Sequence, residues 1–126
     1  MVTETVETLL DQWESVYKKG LLTFWLLLLL HERPMYAFEM GPELEKVSQG
    51  TVTADDKSIY RAMRRFQAMG LVESTWEPSD VGPRRRYYHL TPLGTELLHR
   101  FTRRNVLVFR ELPVARRIAA LLEAAD

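Results

Sequence analysis

Val2, Val6, Leu9, Leu10, Trp13, Val16 and Tyr17 recur at helical spacing, with Glu4, Glu7, Asp11 and Glu14 between them. This pattern predicts an amphipathic helix over residues 3 to 18, ending at Gly20. Residues 21 to 32 are apolar on nearly all sides and close at His31, Glu32, Arg33 and Pro34. A helix of that kind must be covered from more than one direction, either as a central core helix or as one shared with a second subunit. A third helix is expected from Met35 to Ser48, with Phe38, Met40, Leu44 and Val47 inward. Gly41 and Pro42 lie inside it and predict a kink or a short break. After a turn at residues 49 to 53, Asp55 is a good N-cap for a fourth helix from Asp56 to Met69. Its inward stripe is Ile59, Ala62, Met63, Phe66 and Met69, while Lys57, Ser58, Tyr60, Arg61, Arg64 and Arg65 point outward and Gly70 closes it.

Beyond Gly70 the pattern changes from helical to alternating. Leu71 to Glu77 is expected to be a strand, Pro78 to Pro83 a turn and Arg84 to Leu90 a returning strand. Alternation sends Arg84 and Arg86 to one face and Arg85 to the other, and it leaves one of Tyr87 and Tyr88 buried and the other free. Trp76 is expected to pack this hairpin against the helices. Thr91 then caps a helix that starts at Pro92, the favoured first position for proline, and carries Leu93, Leu97, Leu98, Phe101, Val108 and Phe109 to about Arg110. Pro113 starts a last short helix with Val114, Ile118, Leu121 and Leu122 on one side. The expected fold class is therefore mainly α with a small β-hairpin.

The chain has 126 residues, 46% hydrophobic and 27% charged, an ordinary composition for one domain with one core. The absence of cysteine excludes a disulfide scaffold, a Cys-ligated zinc site and a thiol nucleophile. The longest apolar run, Leu21 to Leu30, is about half the ~20 residues of a membrane-spanning helix. The acidic amphipathic stretch before it is unlike a signal peptide, so a soluble, cytoplasmic protein with no membrane partner is expected. His31, His89 and His99 lie far apart without a second ligand at metal spacing, so no metal or cofactor is expected. No nucleophile elbow, phosphate loop or paired carboxylate in an apolar run accompanies the Ser, His and Asp residues, which points away from an enzyme.

A net charge of zero hides an asymmetry. Residues 1 to 56 hold four basic and ten acidic side chains, whereas residues 57 to 117 hold thirteen basic and five acidic ones. Twelve of those thirteen are arginine, whose planar fork suits phosphates and guanine edges.

Two short helices joined by a tight turn, with basic and aromatic residues outward on the second, followed at once by a hairpin with three consecutive arginines, form the order of a winged helix-turn-helix. Such a helix fits the major groove of B-DNA, and a hairpin beside it reaches phosphates or the minor groove. Candidate DNA-binding residues are Lys57, Ser58, Tyr60, Arg61, Arg64 and Arg65 on the helix and Arg84, Arg85, Arg86 and Tyr88 on the hairpin. The organisation expected is an N-terminal amphipathic helix at 1–19 for dimer or core packing, a winged helix-turn-helix at 20–91 and dimerisation helices at 92–126. Leu9, Trp13, Leu97, Phe101, Val108 and Ile118 are the candidate dimer contacts. Trp25 is a candidate to line a ligand pocket, against the plainer reading of a core aromatic. Asp55 and Asp56 either cap the helix or accept from cytosine N4 in the groove. They also favour a rival reading, a winged-helix protein-interaction module with weak or no specific DNA binding, which the arginines oppose.

The stretches Ser58-Ile59-Tyr60-Arg61-Ala62-Met63-Arg64-Arg65-Phe66, Gly70-Leu71-Val72-Glu73-Ser74 and Gly82-Pro83-Arg84-Arg85-Arg86-Tyr87-Tyr88-His89-Leu90-Thr91-Pro92-Leu93-Gly94 resemble the PadR family of bacterial and archaeal transcriptional regulators. The resemblance covers roughly residues 20 to 100 and is most specific in the wing. Pro34, Phe38 and Glu39 also resemble the family's segment opening the third helix, where it usually has Tyr for Phe38 and Gly for Ala37. The resemblance implies a homodimeric DNA-binding regulator of repressor type, acting on a two-fold operator. Tyr60, Arg61 and Arg64 would be recognition-helix contacts and Arg84 to Arg86 wing contacts, with the C-terminal helix, often joined by the N-terminal one, making the dimer. Some members sense small aromatic compounds between subunits, so a small aromatic effector is a candidate partner. Two departures stand out: Asp55-Asp56 occupies the place of the family's common Ser-Pro, and no Trp follows Trp76, although members that stack flat aromatics can use a Trp on the long C-terminal helix.

Overall fold

In the computed structural model, which describes residues 5–125, the Thr5 hydroxyl accepts the Thr8 backbone N–H at 3.1 Å and starts helix α1, Val6–Glu32. Positions 1–4 and 126, among them Val2, Glu4 and the first residues of the expected helix, lie outside the described residues. Two expected helices are one, because α1 runs through Gly20 without a stop. A glycine ends a helix when it turns left-handed, as Gly70 does at φ 77°; Gly20 shows no positive φ. Helix growth is cooperative, and the strongly packed half of α1, with Leu26, Leu27, Leu29 and Leu30 buried, carries the helix across the weak position. This apolar stretch is a central core helix.

Pro34 ends the helical path, and the next two residues, Met35–Tyr36, form a short strand β1 where the sequence suggests a helix start. Two residues are too few to show a period. Helix α2, Ala37–Val47, follows and runs through Pro42 without the short break that is one of the two expected outcomes. Ala37, Met40 and Leu44 form its buried face, so Phe38 points to the opposite side and is 63% exposed, and Val47 lies at the boundary. Neither is the core residue its hydrophobicity suggests.

The α2–α3 turn is built on Ser48, whose buried hydroxyl donates to the Val52 carbonyl and accepts the Val52 N–H, both at 3.1 Å. Gln49 and Gly50 both take positive φ, and the chain then enters α3, Asp56–Ala68. Ile59, Ala62, Met63 and Phe66 are buried as expected, while Met69, at the C-cap, is exposed. Strands β2, Val72–Glu77, and β3, Arg85–Leu90, form the hairpin, and β1 adds to it to make an antiparallel sheet ordered β1-β3-β2.

Thr91 caps α4, Pro92–Phe101, its hydroxyl accepting the Gly94 N–H at 3.1 Å. The expected helix to Arg110 is α-helical only this far. Residues Thr102–Val106 widen into a π turn and Leu107–Arg110 tighten into a 3₁₀ turn before α5, Leu112–Ala125. Thr102 and Asn105 both turn their side chains back onto carbonyls one turn earlier, those of Leu98 and Phe101, which competes with regular α-helical pairing. Among the described residues no helix is long and apolar enough to cross a membrane.

Candidate nucleic-acid interface

Helix α3 presents its polar face because its other face supplies the core. Gly41 of α2 faces this packing, where a Cβ would sit in ordinary contact, 3.6 Å, with the Ala54 carbonyl and the Ile59 side chain. With Ile59, Met63 and Phe66 fixed inward, Lys57, Tyr60, Arg61, Arg64 and Arg65 are exposed and Ser58 is half-buried. The entry of the helix is fixed by Asp55, whose carboxylate accepts the Ser58 backbone N–H at 2.8 Å. That hydrogen bond is the main cause holding the Asp55 carboxyl below its ordinary range, helped by the Arg61 and Lys57 charges. Of the two roles open to this acid, the geometry shows the cap.

The three wing arginines part company. Arg84 precedes β3 and is exposed. Arg85 is half-buried with its guanidinium 4.5 Å from the centre of the Tyr36 ring, which itself meets Tyr87 edge-on. Arg86 donates from Nε to the Ser74 hydroxyl at 2.8 Å and from Nη2 to the Gln67 side-chain oxygen at 3.1 Å. Tyr88 is corrected from a DNA contact to a core residue, since it is only 4% exposed. It sits on the central strand opposite both Met35 and Ser74, so the side it shares with Leu90 faces the helices. Trp76 is corrected in the other direction: it is 59% exposed and flanks Arg86 rather than packing into the core.

Between the start of α2, the outer face of α3 and the wing lies a cleft of about 730 Å3. Tyr60, Arg64 and Gln67 line one side, Trp76 and Arg84 to Arg86 the other, with Tyr36 and Phe38 closing one end, and no acidic side chain lines it. The sequence reading did not single out Tyr36, Phe38 or Gln67 for the site. Gln67 was within reach of it, because it lies three residues after Arg64 and seven after Tyr60 on the same helical face. The ion pairs among the described residues involve Lys18, Arg33, Arg100 and His89, and none of Arg61, Arg64, Arg65, Arg84, Arg85 or Arg86. None of the arginines of α3 and the wing is thus held in an ion pair among the described residues. No group of three or more His, Asp or Glu side chains among the described residues is placed to hold a metal ion.

The expected dimer residues fall on α1, α4, the 3₁₀ turn and α5. Trp13 is 73% exposed, and Leu9, Leu97, Val108 and Ile118 are exposed as well. Phe101 is half-buried, with its ring 5.8 Å from that of Phe24 in the same chain. Trp25 is half-buried, edge-on to Phe24 and packed on the core. A cleft of about 360 Å3 near this end of α1 is lined by Tyr17, Leu21, Phe101, Val106 and Phe109 among others, without Trp25.

The PadR-like family of transcriptional regulators matches residues 26–100. The chain is similar to the crystal structure of a PadR-like transcriptional regulator from Bacillus cereus, at 31% identity over 82% of this chain and 93% of that one, with a TM-score of 0.65. A PadR family regulator from Eggerthella lenta matches at 20% identity and a TM-score of 0.67, over 93% of this chain and 95% of its own. Bacillus subtilis PadR, solved in complex with operator DNA, matches at 17% identity and a TM-score of 0.59, over 64% of this chain and 46% of that one. The last two likenesses speak to the fold.

Proposed function

The chain belongs to the PadR-like family of transcriptional regulators, and from that premise we propose that it binds operator DNA as a homodimer and represses transcription. Helix α3 lies in the major groove, with Tyr60, Arg61 and Arg64 towards base edges and Lys57, Ser58 and Arg65 towards the backbone. The wing reaches the adjacent phosphates or the minor groove through Arg84 and Arg85. At 13 residues α3 is about 20 Å long, enough to follow a groove about 12 Å wide. Two copies related by a two-fold axis read two half-sites about one turn of DNA apart.

The observation that carries this reading is the acid-free cleft flanked by arginines that form no ion pair among the described residues. Arginines arranged in this way release counterions when they meet phosphates, so affinity depends on salt. The Bacillus subtilis relative of the same fold was solved in complex with operator DNA, which supports DNA as the partner. Of the two acids that favoured a protein-interaction module, Asp55 and Asp56, the first is accounted for by its hydrogen bond to Ser58.

The test is binding of the purified protein to a labelled fragment from upstream of its own gene, against a scrambled duplex, across a salt series. Tight, selective binding that weakens steeply with salt is expected. Weak binding that ignores sequence would overturn the reading in favour of an interaction module.

A further inference from the structure

We propose that Arg86 is a positioning residue: through Gln67 it fixes the wing against the recognition helix, and the ionic contact at this edge of the cleft falls to Arg84. The inference rests on the DNA-binding reading above and assigns different work to three arginines that are identical and consecutive in the sequence.

The hydrogen bond from Arg86 Nη2 to the Gln67 side chain at 3.1 Å joins α3 to β3 across nineteen positions of sequence. Among the described residues it is the one side-chain hydrogen bond between α3 and the hairpin. The same guanidinium donates from Nε to Ser74 of β2 at 2.8 Å. Its carbon also lies 5.5 Å from the Tyr88 ring centre and 5.9 Å from that of Trp76. One rigid fork therefore ties together the helix, both strands of the wing and the buried Tyr88. A lysine keeps the charge but lacks the planar fork that serves two acceptors at once.

The joint has something to hold. The chain leaves α3 through Gly70 at a φ of 77°, and the far end of the hairpin extends past the core, with Trp76, Glu77 and the turn exposed. A wing pivoting about its base would reach the duplex in many orientations, and ordering it on binding weakens affinity. Arg84 makes no side-chain hydrogen bond or ion pair among the described residues, so its charge stays available to phosphates.

The experiment uses the full chain and the variants Arg86→Ala, Arg86→Lys, Gln67→Ala and Arg84→Ala, with two readouts. The first is amide hydrogen exchange of β2 and β3 without DNA. Exchange is expected to accelerate in Arg86→Lys and Gln67→Ala as much as in Arg86→Ala, and to stay unchanged in Arg84→Ala. The second is affinity for the upstream fragment across the salt series. Arg86→Lys and Gln67→Ala are expected to lose about tenfold with the salt slope unchanged, whereas Arg84→Ala lowers the slope by about 0.9, one phosphate contact. Arg86→Lys binding like the wild type while Arg86→Ala loses slope would make Arg86 a phosphate contact and overturn the proposal. Unchanged exchange in both Arg86→Lys and Gln67→Ala would also overturn it. If the wild type fails to prefer its upstream fragment, the operator reading falls, and the exchange readout alone decides whether the joint exists.

Discussion

Gly94 rests on Leu71 so closely that a Cβ at position 94 would overlap the Leu71 carbonyl oxygen. The same carbonyl accepts the Thr91 N–H at 3.1 Å, and the Thr91 hydroxyl donates to the Gly70 carbonyl at 2.6 Å while capping α4. The run Leu90-Thr91-Pro92-Leu93-Gly94 is thus the joint at which the end of the wing, the start of the wing and α4 meet. Backbone cannot rotate out of the way as a side chain can. Gly94→Ala is expected to destabilise by about 2 to 3 kcal/mol, lowering the melting temperature by roughly 10 °C. A thermal melt checks it.

Gly20 makes the opposite prediction. It lies inside α1 with nothing within 4 Å of an added Cβ and with no positive φ. Gly20→Ala is expected to stabilise by about 1 kcal/mol through helix propensity alone. A lower melting temperature for this variant would mean that the position is covered in the folded state of the protein.

The Asp55 cap predicts a pH dependence with a definite sign. The folded-state pKa is lowered, chiefly by the Ser58 N–H, so the carboxylate stabilises α3 above the unfolded-state pKa and that contribution fades as the pH falls through the folded one. Asp55→Asn keeps a capping oxygen and is expected to melt close to the wild type at neutral pH, with less loss on acidification. Asp55→Ala is expected to melt lower at neutral pH, and circular dichroism melts at several pH values distinguish the three.

The contrast between well and poorly legible parts of the chain has a physical basis. Asp55, Gly70, Thr91 and Pro92 each act within a few residues of themselves, so the bounds of α3 and the start of α4 follow from local chemistry. The stripe Ile59, Ala62, Met63 and Phe66 repeats over a long helix and predicts its own burial. Gly20 looks like a stop, yet the decision to stay helical is made by the packing of Leu26 to Leu30. Phe38 and Trp76 look inward-facing because they are hydrophobic, but Ala37 and Met40 set the phase of α2, and Trp76 stands beside Arg86 on the open cleft. The division among Arg84, Arg85 and Arg86 depends on Gln67 and Tyr36, partners that no local pattern brings to them.

On the recognition helix, Arg61→Ala and Arg64→Ala are expected to weaken operator binding by about 1 to 3 kcal/mol each if they read base edges, relaxing preference at the position read. A residue that touches only phosphate instead weakens all duplexes alike and lowers the salt slope by about 0.9. Competition with single-base operator variants across a salt series separates the two roles. Identical affinities for the wild type and both variants would remove this face of α3 from the interface.

Helix α1 leaves Val6, Leu9, Trp13 and Val16 exposed, and α5 leaves Leu112, Ile118, Leu121 and Leu122 exposed. Exposed apolar helix faces are candidates for burial against a partner, and a second copy is the partner that the proposed two-fold operator calls for. Trp13 and Ile118 lie outside the core cluster built on Leu26, Met40, Met63 and Phe66, so changing them tests association rather than folding. Light scattering at micromolar concentration is expected to show a dimer for the wild type and a monomer for Trp13→Asp combined with Ile118→Asp. The monomeric variant should keep its helical circular dichroism, because the core is untouched, and lose operator affinity by orders of magnitude, because each copy then grips a single half-site. A wild-type monomer that still binds its operator tightly would detach recognition from two-fold symmetry and leave α3 and the wing of one chain as the whole reading head.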